Sequence, residues 1–369
     1  MRMQDYVRYS PEQLAKNQSQ GERLVRGIVR VYRKRTVSSL VLVASGSSLN
    51  GAMMVAQYLM KATGKNVITI TPESILAGGA LIDEHSFVIV ISQSGASTNI
   101  IAALKYFQDE GIETVSLTGN IESPMREYSD RIFDYGVGNE YVDFVTMGVQ
   151  TLVEFFLIFG LALGSDGISE STLKDLGNTI RDQDTVINTA EVYIQKHKLQ
   201  LAQQQPAFFV GNGPNYGVAK EGALKFQEAL KRPAMYYELE EFLHGPDMQL
   251  SPDYTVFLLD DLNTASRFDE VFTALHLITP NIHFVTSRHF SEKVPNDVIN
   301  IPGASSSELV PLLTLPVIQL ISAEMADIGQ TWETTPFFAE FDQKIAIKTK
   351  DYQKELKSIQ QEWEKDQQK

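Results

Sequence analysis

No cysteine occurs in this 369-residue chain, which excludes disulfides, thiolate catalysis and zinc–thiolate sites. Basic charge is in short supply: 32 Lys and Arg stand against 46 Asp and Glu, for a formal net charge of −14. Nucleic acids and anionic membranes demand basic surface, so neither is expected as a partner. An anionic ligand would have to be held by local donors, because the overall field repels it. Met1 to Arg35 hold no charged-then-apolar leader, and a soluble, cytoplasmic protein is expected. Phe155 to Leu163 reads as the longest apolar stretch and is too short to span a bilayer. The dinucleotide fingerprint G-x-G-x-x-G is also missing: LVLVASGSSLNG, Leu40 to Gly51, breaks a strand with a glycine-serine turn but lacks that spacing. No acidic residue closes the following strand, and no cofactor is expected. His85, His197, His283 and His289 show no metal-ligand spacing, so no metal site is expected either.

What the chain does hold is two concentrations of chemistry. The first is VIVISQSGAST, Val88 to Thr98. Val88 to Ile91 form a continuous β-branched run, the pattern of a buried parallel strand. Ser92, Gln93, Ser94, Gly95, Ser97 and Thr98 then crowd the turn into a helix beginning near Asn99. A cap needs one hydroxyl, and this turn supplies four in seven residues. Unpaired N–H groups and the helix dipole favour an anion there, so the loop is expected to bind phosphate. The second concentration is EGALKFQE, Glu221 to Glu228, with His244-Gly245-Pro246 downstream. Glu221, Lys225 and Glu228 fall at i, i+4 and i+7 and project from one helix face. Such a row is either a solvated ion-pair stripe or an acid–base site. The preceding strand and glycine turn, Phe208 to Gly217, and the serine loop upstream favour the site.

The chain also repeats itself. Strands are expected at Leu40–Val43, Val67–Ile70, Val88–Ile91 and Thr114–Leu117, with helices at Ala52–Thr63 and Asn99–Gln108. The second half runs through strand Phe208–Val210, helix Val218–Leu230, a segment near Met235–Leu239, strand Thr255–Leu259, helix Arg267–Leu277 and strand Asn281–Val285. Short links between alternating strands and helices imply parallel sheets, so the fold is expected to be α/β, with two doubly wound, flavodoxin-like three-layer domains in tandem. The length suits two domains with a core each. The expected division is a helical segment at 1–35, a first domain at 36–164, a polar helical connector at 165–205, a second domain at 206–345 and a tail at 346–369. The loop equivalent to Ser92–Gly95 in the second half is DDLNTAS, Asp260 to Ser266, which has no glycine and two carboxylates. The apolar run Leu309–Met325, interrupted by Pro311 and Pro316, reads as core or dimer seam.

In order along the chain, the Gly46-Ser47-Ser48 turn, the Ser92–Gly95 loop, Glu140 after a glycine-rich turn, EGALKFQE and His244-Gly245-Pro246 resemble the sugar isomerase (SIS) family. The double-domain form is similar to the isomerase half of glucosamine-6-phosphate synthase and to stand-alone sugar-amine 6-phosphate deglycases. The resemblance covers roughly residues 36 to 345. It implies that Ser47, Ser48, Ser92, Gln93, Ser94 and Ser97 hold a sugar phosphate, with Gly46, Glu140 and Glu221 also lining the substrate. It further implies that Glu228 moves a proton between C1 and C2 of the open-chain sugar, that Lys225 stabilises the developing charge, and that His244 opens the ring. In the family that histidine typically reaches into the site of a partner subunit, so a homodimer is implied.

Some residues depart from the synthase pattern. Val145 and Met147 stand where the synthase has a serine and a lysine. The segment after Glu340, FDQKIAIKTKDYQKELKSIQQEWEKDQQK, is expected to lack the short lysine-bearing tail that closes the synthase site. With no cysteine, the chain cannot itself release ammonia from glutamine. A deglycase is therefore expected, forming hexose 6-phosphate and a free amine. An aldose–ketose phosphate isomerase, an aminosugar phosphate deaminase and a non-catalytic sugar-phosphate sensor are the alternatives. Glu333 reads as a surface or capping carboxylate that could also reach the site.

Overall fold

The computed structural model describes residues 2–138, 140, 144–164, 170–203, 206–262, 264–288, 294–332, 336–350 and 352. Two amphipathic helices, α1 (Met3–Gln20) and α2 (Glu22–Arg33), lead into the first repeat. There β1 (Ser39–Val43), α3 (Gly46–Thr63), β2 (Asn66–Ile70), α4 (Pro72–Leu76), β3 (Ser86–Ile91), α5 (Thr98–Asp109), β4 (Thr114–Thr118) and β5 (Arg131–Asp134) follow one another, closed by α6 (Met147–Leu163). A 34-residue helix, α7 (Glu170–Gln203), leads to the second repeat. That repeat comprises β6 (Ala207–Gly211), α8 (Pro214–Leu230), β7 (Ala234–Tyr237), α9 (Leu239–Phe242), β8 (Thr255–Leu259), α10 (Ala265–Leu275), β9 (Ile282–Thr286) and β10 (Val298–Asn300). Two helices, α11 (Pro311–Gly329) and α12 (Phe338–Ile345), end it.

Each sheet has five strands, in the orders β2-β1-β3-β4-β5 and β7-β6-β8-β9-β10, and neighbouring strands in both run parallel. Both therefore follow the order 2-1-3-4-5, the doubly wound, flavodoxin-like topology expected from the alternating elements. The two edge strands β5 and β10 were not anticipated. They are short, and the Arg-Ile-Phe-Asp of β5 gives no apolar run to read.

The two repeats do not keep separate cores. Leu40 and Leu42 of β1, Phe87, Ile89 and Ile91 of β3, and Phe209 and Phe257 of the second sheet belong to one apolar cluster with α1, α2, α3, α6, α7, α8 and α11. Alternate residues on the same strands face outward. Val41, Val43, Val88 and Val90 pack under α4 and α5, while Phe208, Val210, Val256 and Leu258 pack under α9 and α10. The period of two along each strand thus directs one face to a shared middle and the other to a private outer layer. Full burial of each such side chain contributes roughly 1.5–3 kcal/mol, so the halves are held together by the same force that builds each of them.

Two expectations change here. The 165–205 connector is helical, but Leu176, Ile180, Val186, Ile187, Ile194 and Leu201 bury one stripe of α7 in the common core, against α11 and α1. Pro311 and Pro316 also do not interrupt the apolar run. Pro311 sits in the first turn of α11, where its missing N–H is not needed, and α11 continues through Pro316. Pro316 deprives the Leu312 carbonyl of its intrahelical donor, and Gln183 of α7 supplies one at 2.6 Å. Among the described residues one stretch, 307–329, is long and apolar enough to cross a membrane, longer than Phe155–Leu163 had suggested. Of that apolar window, 94% is buried inside the fold.

Candidate functional site

The loops that leave β1 and β3 lie side by side at the carboxyl ends of adjacent strands, where the strand order reverses. Doubly wound sheets open a crevice at this point. Gly46 begins α3 at φ +56°, a left-handed conformation that glycine adopts freely. Gly95 turns the second loop at φ +61°, and a Cβ there would collide with the Ser123 side chain. Asn99 Nδ2 of α5 donates to Ser45 Oγ at 2.9 Å and joins the two loops. Ser92 is buried, while Ser94 and Ser97 are half-buried around the turn.

The first turn of α3 presents Ser47 to α8, which packs along α3. Ser47 Oγ donates to Glu221 Oε1 at 2.8 Å and accepts from Lys225 Nζ at 3.1 Å. Asn50, one turn on from Ser47, donates to Glu221 Oε2 at 2.7 Å. Lys225 Nζ stands 3.2 Å from Glu221 Oε1 and 2.6 Å from Glu228 Oε2. The three charged residues do share one helix face, and that face is no solvated stripe. The side chains of Glu221 and Lys225 are fully buried, whereas that of Glu228 remains 29% exposed.

Electrostatics separates their roles. Burial would lower the Lys225 ammonium, but Glu221 and Glu228 overcome it and hold the lysine protonated. Burial raises the Glu228 carboxyl above the usual carboxylate range; the Lys225 charge opposes that rise, and Glu221 adds to it. The result is a fixed cation beside a carboxylate that is open on one side and more basic than usual, as a proton-transferring base requires.

Other expected residues fall further out. Gln93 Nε2 donates to Glu140 Oε2 at 2.7 Å. Glu140 also accepts the backbone N–H groups of Thr146, Met147 and Gly148 at the start of α6. Burial raises the Glu140 carboxyl and these four donors oppose the rise. Glu140 thus anchors α6 and orients Gln93 within the loop. Ser48 is buried in the first turn of α3. His244 is exposed, its Nδ1 2.6 Å from the Glu240 carbonyl oxygen, and no hydrogen bond or ion pair joins it to Glu228 or Lys225 in this chain. His283 is buried against Tyr193 and burial pushes it down to about 3, so it is a neutral core residue. Glu333 and His289 lie outside the described residues.

A group the sequence did not single out completes the serine loop. Lys348 Nζ, from the segment after α12, donates to Ser94 Oγ at 2.7 Å and to Ser97 Oγ at 2.9 Å. The expectation that this segment lacks such a lysine is thereby corrected, because residues 346–349 pack on the start of α5 and bring Lys348 to the loop. No local pattern marked it, since Ile345 closes α12 and Ile345-Ala346-Ile347 are consecutive apolar residues. Asn50 was also passed over, although it follows Ser47 by three positions on the same helix face.

The sequence profile of the SIS domain matches residues 35–159 and 200–271, more than half of the chain and both repeats. This chain belongs to the SIS domain family. It is 27% identical over 317 residues to glutamine–fructose-6-phosphate aminotransferase (isomerizing) of Chlorobaculum tepidum, an alignment that covers 80% of this chain and 49% of that protein. The chain spans about half the length of the first curated relatives it matches. Among solved structures, a provisionally named phosphosugar isomerase of Clostridium difficile 630 superposes with a TM-score of 0.84 at 23% identity, covering 95% of this chain and 99% of that one. The C-terminal domain of glucosamine-fructose-6-phosphate aminotransferase from Francisella tularensis gives 0.77 at 17% identity, covering 89% and 96%. At these identities the superpositions establish the fold.

The two SIS repeats have diverged at equivalent crevices. In the second, Asp260 stands at the carboxyl end of β8, where the first has Ser92 after β3. Its carboxylate accepts from Thr286 Oγ1 and from Arg288 Nε, each at 2.8 Å. An internal ion pair therefore occupies the second crevice, whereas the first offers hydroxyls.

Proposed function

We propose that this SIS chain is a phosphosugar enzyme, and specifically a deglycase that cleaves a sugar-amine 6-phosphate to hexose 6-phosphate and free amine. The observation that carries this reading is the partly exposed Glu228 carboxylate, raised in basicity and held 2.6 Å from a buried lysine, on a helix packed against the start of α3. The serine loop beside that helix start holds the phosphate. Glu228 takes a proton from C1 of the open-chain fructosamine, giving an enaminol, with Lys225 stabilising the negative charge that develops on oxygen. Returning the proton at C2 leaves an imine at C1. Water adds to that imine, the C–N bond breaks, and aldose phosphate and amine are released. One carboxylate serving two adjacent carbons suffices for both proton transfers.

A sensor would need the serine loop alone, and the Glu221–Lys225–Glu228 row, buried except at Glu228, favours catalysis. The exposed position of His244, without contact to Glu228, supports a homodimer in which each histidine serves the site of the other subunit. Phosphorylated glycated amino acids and hexosamine phosphates, screened by mass spectrometry, test the reaction. Equimolar hexose 6-phosphate and amine are expected. Interconversion of ketose and aldose phosphates without amine release would replace the deglycase with an isomerase.

A further inference from the structure

Where α8 starts beside β7, the edge strand of the second sheet, an open cavity of about 650 Å³ is lined by Tyr216, Met235, Tyr236, Tyr237, Glu238 and Glu241. A volume of that order suits a small organic ligand. Its aromatic walls are held by neighbours within the fold. Tyr237 packs against Phe208 and Phe242, with ring centroids 5.9 and 6.4 Å away. Tyr236 lies 5.9 Å from Tyr216, the two rings inclined at 59°. A ligand would therefore meet rings already in place, which keeps the cost of ordering them small.

The charges around these rings are unequal. Glu238 caps the short helix α9 and Glu241 lies within it, and both are exposed. Glu240, next to Glu241, is instead paired with Arg267 at 2.7 Å. Burial raises the Tyr216 hydroxyl above the usual tyrosine value, and Tyr236, Glu238 and Glu241 add to the rise. These groups converge on one ring, which stays neutral. Towards α3 stands Lys220, its Nζ 5.5 Å from the centre of the Tyr236 ring and 3.6 Å from Met53 Sδ. Burial lowers this ammonium. The protein thus already seats one ammonium near a ring of the cavity, as the negative face of an aromatic ring favours. Two carboxylates outweigh that lysine, and a net charge of −14 draws cations and repels anions.

We propose that this cavity binds a protonated organic amine, its ammonium at Glu238 and Glu241 and its carbon chain along Tyr216, Tyr236 and Tyr237. An anion would meet two carboxylates, and a neutral ligand would use the rings alone. An ammonium with an apolar chain uses both. The cavity also adjoins His244, whose backbone N–H donates to the Glu241 carbonyl at 3.2 Å, so one turn carries both side chains. An amine is what the proposed deglycase releases, and this link alone rests on that reading. With His244 serving the site of the other subunit, the cavity would receive the amine as it leaves that subunit's sugar.

Calorimetry at neutral pH with n-pentylamine, and with n-pentanol as the uncharged control, tests the assignment. The amine is protonated under these conditions, as a lysine side chain is. Saturable binding of pentylammonium is expected, at least about 3-fold tighter than that of pentanol. Glu238→Gln combined with Glu241→Gln should weaken it about 3- to 30-fold, as the loss of two exposed ion pairs would. Added salt should weaken binding to the wild-type chain, because both carboxylates face solvent. Tyr216→Phe should retain the affinity, whereas Tyr216→Leu should lower it about 2- to 5-fold. Equal binding of pentanol and pentylammonium would overturn the proposal, and so would full affinity in the double glutamine variant or in Tyr216→Leu. Amine release from sugar conjugates by a chain that does not bind pentylammonium would overturn the cavity and leave the deglycase reading standing. Pentylammonium binding without amine release from any conjugate would remove the deglycase reading and leave the cavity as assigned.

Discussion

Asn50 Nδ2 donates to Glu221 Oε2 at 2.7 Å, and this buried contact ties the helix after the first strand of one repeat to its counterpart in the other. Ser47 and Lys225 take the second oxygen of the same carboxylate. Lys225 is therefore fixed from behind before it meets Glu228. The Glu221–Lys225–Glu228 row on α8 is held by α3, and the serine loop lies beside the same end of α3. The site is thus built across the seam between the repeats, in the region where they share one core.

Asn50→Leu should show what that contact is worth. A buried carboxylate oxygen losing its donor costs about 1–3 kcal/mol, and chemical denaturation should register a loss of that size. Because Lys225 would also be less well placed, kcat should fall while glucose 6-phosphate affinity changes little. Wild-type stability and wild-type kcat in this variant would mean that Glu221 is satisfied by Ser47 and Lys225 alone.

Glu228→Gln keeps size and helix propensity and deletes the base. Turnover should drop roughly 10²–10⁴-fold, the usual contribution of general acid–base catalysis, with glucose 6-phosphate affinity preserved. Proton exchange at C1 or C2 of a bound sugar phosphate, followed by NMR in deuterated water, should disappear as well. Since burial raises the Glu228 carboxyl, wild-type kcat/KM should rise with pH through a limb above the ordinary carboxylate value of 4.5. Exchange at the wild-type rate in the variant would return the α8 row to a structural role.

His244 offers a test by complementation. Glu228→Gln and His244→Ala chains, each inactive alone, should regain activity when mixed, because a hybrid dimer holds one intact site. Random exchange makes about half of the dimers hybrid, so recovery should approach a quarter of wild-type specific activity. No recovery after verified subunit exchange would put both groups in the site of one chain.

Glu154 of α6 is a buried carboxyl outside the site, with Asn17 Nδ2 donating to it at 3.1 Å. Burial raises it well above its ordinary 4.5, and the Asn17 bond offsets only part of that rise. The folded chain then keeps a proton that the unfolded chain releases, so this group's contribution to stability falls as pH rises above 4.5. The slope is about 1.4 kcal/mol per pH unit until the folded group ionises. Glu154→Gln should remove that dependence, so that the variant gains on wild type as denaturation is followed from pH 5 to pH 8. A difference constant with pH would show that Glu154 carries no extra proton in the fold.

The sequence by itself determined the strands with continuous apolar runs, such as Val88–Ile91, and the order of elements that makes both sheets parallel. It also determined the helix face shared by Glu221, Lys225 and Glu228, because strand and helix periodicities are local properties of the chain. It did not reveal β5 and β10, whose sequences of four and three residues are too short for a periodic pattern and are strands only because a neighbour offers its edge. Nor did it reveal that α7, polar on average, would bury a stripe in a core common to both repeats. Whether the α8 row was solvated or buried was likewise undecided, since that depends on α3 arriving opposite it with Ser47 and Asn50. Lys348 lies more than 250 residues from the loop whose serines it bonds, and no local pattern encodes that distance. Only the tertiary structure decided it, because Lys348 meets Ser94 and Ser97 through a chain segment that packs on the start of α5.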